Sequence, residues 1–91
     1  MTKVPPDKYE EIKFTLVYKL DKRRCYGGIY TPIERLLKSI PPHDRGYGWD
    51  VVDDLKKKGW MELHKNNTCV SLSLAYRQEI QEYLDKNRNR W

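Results

Sequence analysis

The 91-residue chain has few of the residue types that mark metal proteins, thiol enzymes or membrane proteins. It holds two cysteines that are far apart, with no CxxC pair, and the spacing of its two histidines to them fits no zinc motif. No apolar run approaches the roughly 20 residues that a membrane span needs, and residues 1–7 lack the apolar stretch of a signal peptide. We therefore expect a cytoplasmic protein that is not an enzyme and that uses no metal or cofactor. The metal-ligand candidates set aside on this ground are His43, His64, Cys25 and Cys69.

Charge is the property that the chain has in excess. Its 18 Lys and Arg residues outnumber 13 Asp and Glu residues, which gives a formal net charge of +5. This balance favours an acidic partner, and nucleic acid is the commonest one for a small basic domain. Basic and acidic residues number nine and five in residues 1–43, four and four in residues 44–60, and five and four in residues 61–91. The basic surplus therefore belongs mainly to the first half of the chain.

A chain of this length makes a single domain, and its apolar spacing predicts four helices. The first helix covers about residues 8–24, with Asp7 as N-cap and Glu10 as its capping-box partner. Phe14 lies off the buried stripe of this helix. Residues 13–18 also have the composition of a strand, but the length, the cap and the spacing favour a helix. The stripe consists of Ile12, Leu16 and Leu20, with Tyr9 and Val17 beside them.

The second helix has the clearest local signal in the chain. Thr31 is placed to cap it, Pro32 to occupy its first position, and Glu34 to complete the capping box. We expect it to cover residues 32–40 and to end before two prolines, which cannot continue a helix. The residues before the cap are too few for more than a short strand. That strand comprises Ile29 and Tyr30.

A third helix is predicted from about Tyr47 to just before Gly59, since glycine ends helices by entering the left-handed region without penalty. The chain then enters a hairpin with a two-residue turn at Asn66 and Asn67. Only this register places the apolar residues of both strands on one face. The predicted pairs are Lys65 with Thr68, Leu63 with Val70, and Met61 with Leu72, and the opposite face holds Glu62, His64, Cys69 and Ser71.

Ser73 is placed to cap a fourth helix that runs to about residue 85, which leaves residues 86–91 as a tail. The apolar stripe of this helix is broad enough to serve both the core and a partner, so we expect a homodimer through it. The predicted dimer residues are Tyr76, Ile80, Tyr83, Leu84 and Trp91. The predicted core consists of Leu16, Leu20, Ile33, Leu36, Leu37, Val52, Leu55, Leu63, Val70, Leu72 and Ile80.

This order of elements, which makes an α+β domain, resembles that of winged helix-turn-helix domains over about residues 8–85. The most family-like residues are Ile29 and Tyr30 before the Thr31 cap, Val52 and Leu55 followed by Gly59, Trp60 and Met61, and Val70, Ser71 and Leu72 before the fourth helix. The resemblance implies that the short first strand pairs with the hairpin. It also implies a DNA-binding protein, such as a small transcriptional regulator, with the third helix in the major groove of duplex DNA and the hairpin as the wing.

Directing Val52 and Leu55 inward turns an acidic set outward on the third helix. Carboxylates close to a polyanion are unfavourable, so the contacts fall to the entrance and the end of this helix and to the wing. The acidic set is Asp50, Asp53 and Asp54, with Lys57 beside it. The candidate DNA-binding residues are Arg45, Tyr47, Trp49, Lys56, Lys57, Lys65 and Asn66, with Arg23 and Arg24 as further phosphate contacts.

The same residues leave a second interpretation open. Asp53 with Lys57 and Asp54 with Lys58 have the spacing of ordinary i,i+4 ion pairs, and basic residues at the end of the first helix also compensate its dipole. On this interpretation the acidic face of the third helix binds a protein partner, and the positive charge serves solubility. Both functions remain candidates.

Overall fold

The computed structural model describes residues 4–88, which form a small α+β domain with four α-helices and a three-stranded antiparallel sheet. Two short 3₁₀ turns precede the third and fourth helices. No helix among residues 4–88 is long and apolar enough to cross a membrane. The elements are α1 (Pro6–Lys22), β1 (Thr31–Pro32), α2 (Ile33–Leu37), α3 (Arg45–Lys57), β2 (Met61–His64), β3 (Cys69–Leu72) and α4 (Arg77–Asn87).

The sheet has the order β1-β3-β2, and the predicted hairpin register is confirmed. Met61 pairs with Leu72 and Leu63 with Val70, which leaves the side chains of His64 and Cys69 opposite each other at the strand ends. The two-residue turn is wrong in length, because the strands stop at His64 and Cys69 and four residues connect them. Three of these four, Lys65, Asn66 and Asn67, have positive φ.

The first strand lies two residues later than expected, which also changes the start of α2. Thr31 and Pro32 pair with Val70 and Cys69 of β3, whereas Ile29 and Tyr30 precede the strand and are exposed. The backbone N–H of Ile33 donates to the carbonyl of Thr68 at 2.9 Å. The sheet therefore takes Thr31 as a strand residue and not as a helix cap, and α2 begins at Ile33 and ends at Leu37. This short strand still completes the sheet, as the resemblance implied.

Two other predicted caps are also wrong. Helix α1 begins behind Pro5, whose carbonyl accepts from the backbone N–H of Tyr9 at 2.8 Å, and Asp7 lies inside its first turn. Ser73 makes no side-chain capping bond and is followed by a 3₁₀ turn, so α4 begins only at Arg77. Residues 13–18 are helical, which confirms the helix over the strand. Phe14 is buried, contrary to the prediction, because its ring packs against Tyr18 and Tyr83.

Helix α3 begins earlier than predicted and ends as predicted. Gly46 belongs to its first turn and not to the segment before the helix, and Gly48 follows it in the helix. A Cβ at Gly48 would lie 2.6 Å from the Cδ2 atom of Leu37, so the glycine allows α3 to approach α2 closely. At the other end Gly59 has φ of +87°, and the backbone N–H of Trp60 donates to the carbonyl of Leu55 at 3.0 Å. This Schellman bond directs the chain into β2.

The core lies between the helices and the sheet. The predicted core residues are buried, with one exception. Leu63 is half-buried and only packs against the core from its edge. Both cysteines are free thiols, with Cys25 buried and Cys69 half-buried. The predicted residues that are buried are Leu16, Leu20, Ile33, Leu36, Leu37, Val52, Leu55, Val70, Leu72 and Ile80.

The centre of the core should be sensitive to loss of volume at Leu55, which is 0% exposed. We expect Leu55→Ala to lower the free energy of unfolding by about 2 to 5 kcal/mol, since it removes buried methyl groups and leaves a cavity. Leu63→Ala, at the half-buried edge, should cost clearly less. Urea denaturation of both variants tests the difference, and equal losses would show that Leu55 does not lie at the centre of the packing.

Helix α1 ends with a Schellman motif in which Arg24 occupies the left-handed position usually held by glycine. Its φ is +56°, and the backbone N–H groups of Arg24 and Cys25 donate to the carbonyls of Asp21 and Leu20, both at 2.9 Å. A non-glycine residue costs about 1 to 2 kcal/mol in this conformation. Glycine at this position would remove that cost, but its greater entropy in the unfolded chain offsets about 0.5 to 1 kcal/mol of the gain.

Arg24→Gly should therefore raise the free energy of unfolding by about 0.5 to 1 kcal/mol. The neighbouring substitution Arg23→Gly is the control, because Arg23 has φ of −87° and gains no relief from glycine. It should lower stability. Thermal and urea denaturation measure both changes, and a destabilised Arg24→Gly protein would mean that the left-handed turn is not strained.

Candidate nucleic-acid interface

The outward face of α3 carries both charges and one large aromatic ring. Trp49 is 46% exposed, and Asp50, Asp53 and Lys56 are exposed beside it along the helix. Lys57 forms the expected i,i+4 ion pair with Asp53 at 3.1 Å. Part of the positive charge of this helix is thus neutralised by the helix itself. The electrostatic attraction that α3 offers to a polyanion is correspondingly small.

Asp54 does not belong to this outward face, which corrects the prediction. Its carboxylate accepts a hydrogen bond from the hydroxyl of Tyr9 on α1 and lies 3.3 Å from Lys58. The hydrogen bond from Tyr9 lowers the pKa of the Asp54 carboxyl below its ordinary value. Burial, followed by the bond to Asp54, raises the pKa of Tyr9. These groups fasten α3 to α1, so Asp54 is a structural residue.

The two candidates at the entrance of α3 are partly committed to packing. The Arg45 side chain is half-buried, and its Nε donates at 3.4 Å to the carbonyl of Leu37 at the end of α2, which also accepts from the backbone N–H of Ile40. Tyr47 is half-buried against the hydrophobic core. Lys8 of α1 binds the buried Asp44 at 3.1 Å and fixes the turn before α3. The helix entrance is therefore held in place by its own polar groups.

The tip of the wing is exposed and locally ordered. Lys65 and Asn66 project from the four-residue connection, where both have positive φ. The hydroxyl of Thr68 donates to the carbonyl of Lys65 at 2.6 Å, and the backbone N–H of Thr68 donates to the carbonyl of His64 at 3.1 Å. Lys65 makes no ion pair with any residue in the described range. The tip thus presents an unneutralised ammonium group on a fixed turn.

The outer face of the sheet carries His64 and Ser71, as predicted, and residues 27–30 join them in a polar cluster that the sequence pattern did not reveal. The hydroxyl of Ser71 donates to the carbonyl of Gly27 at 3.0 Å, so it accepts the bond that joins it to Nε2 of His64 at 2.9 Å. The ring of Tyr30 stacks on His64 with 4.6 Å between ring centres. Ser71 is fully buried, and its hydroxyl proton is engaged by a carbonyl. These contacts hold residues 27–30 against the wing. Among residues 4–88, no group of three or more His, Cys, Asp or Glu side chains is suited to hold a metal ion.

Arg23 and Arg24 lie at the end of α1 but line two different grooves. Arg23 shares a groove of about 280 Å³ with Lys19 of α1 and with Arg35 and Lys38 of the α2 region. Arg24 lines a larger groove, of about 510 Å³, that reaches α4. Charge counts along the chain place a surplus in residues 1–43, but they do not show that two helices bring four of these cations together. The larger groove is lined by Asp21, Lys22, Arg24, Tyr26, Leu74, Arg77 and Gln81.

Helix α4 uses most of its apolar stripe within the domain. Ile80 and Leu84 are buried in the core and have no surface to offer a partner, which corrects their assignment to a dimer interface. Tyr83 packs edge-on against Trp60, with 5.4 Å between ring centres. Tyr76 is 41% exposed, and Trp91 lies outside the described residues. The homodimer stays a prediction, and among the described residues Tyr76 is the exposed member of the set.

Comparisons with protein-family models, with curated proteins and with solved structures find no match to this chain.

The Tyr9–Asp54 bond predicts a specific pH dependence of stability. Because the pKa of Asp54 in the folded protein lies below the ordinary value of 3.8, its stabilisation is present above that value and is lost as the pH falls through the folded pKa. Tyr9→Phe removes the largest cause of the lowered pKa. The variant should therefore lose less stability than the wild type between about pH 6 and pH 3.

Urea denaturation at several pH values measures this difference. Tyr18→Phe is the matched control, since Tyr18 is an exposed tyrosine on the same helix and has no hydrogen bond to a carboxylate among residues 4–88. It should keep the pH dependence of the wild type. Identical pH profiles for all three proteins would show that the bond does not stabilise the native state.

Proposed function

We propose that this protein is a winged helix-turn-helix domain that binds duplex DNA, in the manner of a small transcriptional regulator. Several features support the proposal. Residues 38–44, which include a 3₁₀ turn, connect α2 to α3. Helix α3 leads through Gly59 into the β2–β3 hairpin, and the strand before α2 pairs with that hairpin. In helix-turn-helix domains the second helix of the motif enters the major groove. In this proposal α3 is the second helix of the motif.

The wing is the observation that carries the proposal. Its register is fixed by four residue pairs, and its tip exposes Lys65 and Asn66 beyond the last pair. An unneutralised cation on an ordered turn suits a phosphate group of the DNA backbone, since phosphate contacts supply most of the affinity of basic domains for duplex. Lys56 at the end of α3 is exposed and also makes no ion pair among residues 4–88.

The other charged residues of α3 are either engaged within the domain or negatively charged. Lys57 can reach a phosphate only by leaving Asp53, and Arg45 would have to give up the carbonyl of Leu37. Asp50 is exposed on α3, where its carboxylate repels the phosphate backbone of DNA. A carboxylate can, however, accept a hydrogen bond from the amino group of cytosine. Binding of this kind is driven by phosphate contacts and discriminates weakly between sequences.

A second candidate function rests on Trp49. An indole ring that is 46% exposed, beside the exposed carboxylate of Asp50, forms an anchor of the kind that dominates protein interfaces. The partner would present a basic or polar rim around an apolar pocket. On this alternative α3 is an interaction helix, and the wing tip does not contribute to binding.

We expect Lys65→Gln to weaken binding to all duplex sequences alike. The slope of log affinity against log salt should fall by about 0.9, the contribution of one phosphate contact. Asp50→Ala should leave the affinity unchanged or raise it, because it removes a carboxylate near the backbone. Fluorescence anisotropy with a mixed-sequence duplex, titrated at several salt concentrations, measures both quantities.

Lys86→Gln is the control, since it removes the same charge from an exposed position at the far end of α4. Its salt slope should equal that of the wild type. The proposal fails if wild-type protein shows no duplex binding at low salt. In that case a protein partner whose binding is lost in Trp49→Ala or Asp50→Ala would establish the interaction module instead.

A further inference from the structure

Four of the nine basic residues among residues 1–43 line one groove between α1 and α2. The last turns of α1 contribute Lys19 and Arg23, and the α2 region contributes Arg35 and Lys38. We call this the cationic groove. Leu36 and Ser39 complete its lining, which contains no carboxylate. Its volume is about 280 Å³.

The four cations of the cationic groove are not neutralised within the domain. The ion pairs among residues 4–88 involve Lys8, Lys57, Lys58 and Arg88, together with His43, and none involves a residue of the groove. The lysines of α3 are thus partly paired with carboxylates of their own helix, whereas two helices bring together the unpaired cations here. Like charges held close to one another repel, so an anion that enters the groove relieves this repulsion.

Helix dipoles account for only part of this arrangement. The carboxyl end of a helix attracts cations, and both α1 and α2 end near the groove. That effect explains one or two basic residues in the last turn of α1. It does not explain the cations of α2, because a helix of five residues has little dipole and Lys38 follows its last turn. The hydroxyl of Ser39 already donates to the carbonyl of Leu36 at 2.7 Å, so the side-chain cations are left as the donors.

The chemistry of these donors suits phosphate. Arginine guanidinium groups bind phosphate oxygens through two parallel hydrogen bonds, and lysines add point charges around them. One arginine comes from each helix, so a phosphate between them contacts both walls of the groove. Four cations around one concave site suit a chain of phosphates better than a single small anion.

We propose that the cationic groove binds the phosphate backbone of a nucleic acid strand, separately from α3 and the wing. This inference rests on the proposed function and names a second surface that contributes to its electrostatic affinity. It also accounts for a nearly neutral α3 in a chain whose net charge is +5. The groove adds backbone contacts to those of Lys65 and Lys56, and α3 and the wing orient the duplex.

An anionic membrane is the other surface that attracts clustered cations, and the groove fits it poorly. Membrane-binding segments insert apolar side chains beside their basic residues. The only large apolar side chain in the lining is Leu36, which is 2% exposed and belongs to the core. A concave site with no apolar side chain to insert favours a strand that can enter it.

The test compares two double variants that remove one Arg and one Lys each. Arg23→Gln with Lys38→Gln removes a cation from each wall of the cationic groove, at exposed positions where the fold is not at risk. Lys86→Gln with Arg88→Gln removes the same charge from the last turn and the C-cap of α4 and is the charge-matched control. Circular dichroism and thermal unfolding establish that both proteins are folded.

Anisotropy titrations with a mixed-sequence duplex between about 50 and 200 mM salt give the result. The groove variant should show a slope of log affinity against log salt that is lower by about 1.8, for two lost phosphate contacts, while the control keeps the wild-type slope. Arg23→Lys with Lys38→Arg, which restores the charge, should recover the wild-type slope.

The outcomes separate this inference from the proposed function. If Lys65→Gln lowers the slope and the groove variant does not, the domain binds DNA through the wing and the groove inference is wrong. If the wild type binds no duplex at low salt, both fail. Vesicles that contain phosphatidylserine provide the last arm, and vesicle binding that is lost in the groove variant, with duplex binding intact, would assign the groove to a membrane and overturn the proposal.

Discussion

The pairing of β3 with two partners at once is the constraint on which the rest of the structure depends. Val70 faces Thr31 on one side and Leu63 on the other, and it is fully buried between them. A shift of one residue would turn Val70 and Leu72 out of the core and bring polar side chains in. The register therefore fixes where α2 begins, where the wing ends and which side chains its tip exposes.

The features of the fold that can be predicted from the sequence are those that depend on residues close together in the chain. The register of the hairpin, the stop at Gly59 and the buried stripes of α1 and α3 follow from spacing and from glycine alone, and they were predicted. The helix N-caps were not predicted correctly, because hydrogen bonds to other parts of the backbone compete with the capping bonds. Thr31 had every attribute of an N-cap, yet pairing with β3 offers its backbone a partner that no local pattern reveals. Phe14 is buried for a similar reason, since the ring that covers it comes from α4.

The candidate site divides in the same way. The i,i+4 pairs of α3 were foreseen as alternatives to contact residues, and both are present. The hydrogen bond from Tyr9 to Asp54, the Tyr30–His64 stack and the cationic groove each join residues that are distant in sequence, so composition could show only that charge was in surplus. A neutral α3 in a basic protein was the one available hint that the positive surface lies elsewhere.

The two thiols differ in a way that makes the wing observable by chemistry. Cys25 is buried and its pKa is raised by that burial, so little of it is present as the reactive thiolate. Cys69 is half-buried at the start of β3, next to the tip of the wing and directly beside the exposed Thr68. A maleimide dye or a nitroxide spin label is therefore directed to one position on the natural sequence. The label would stand where β3 meets the tip, and its mobility would report on the wing without any engineered residue.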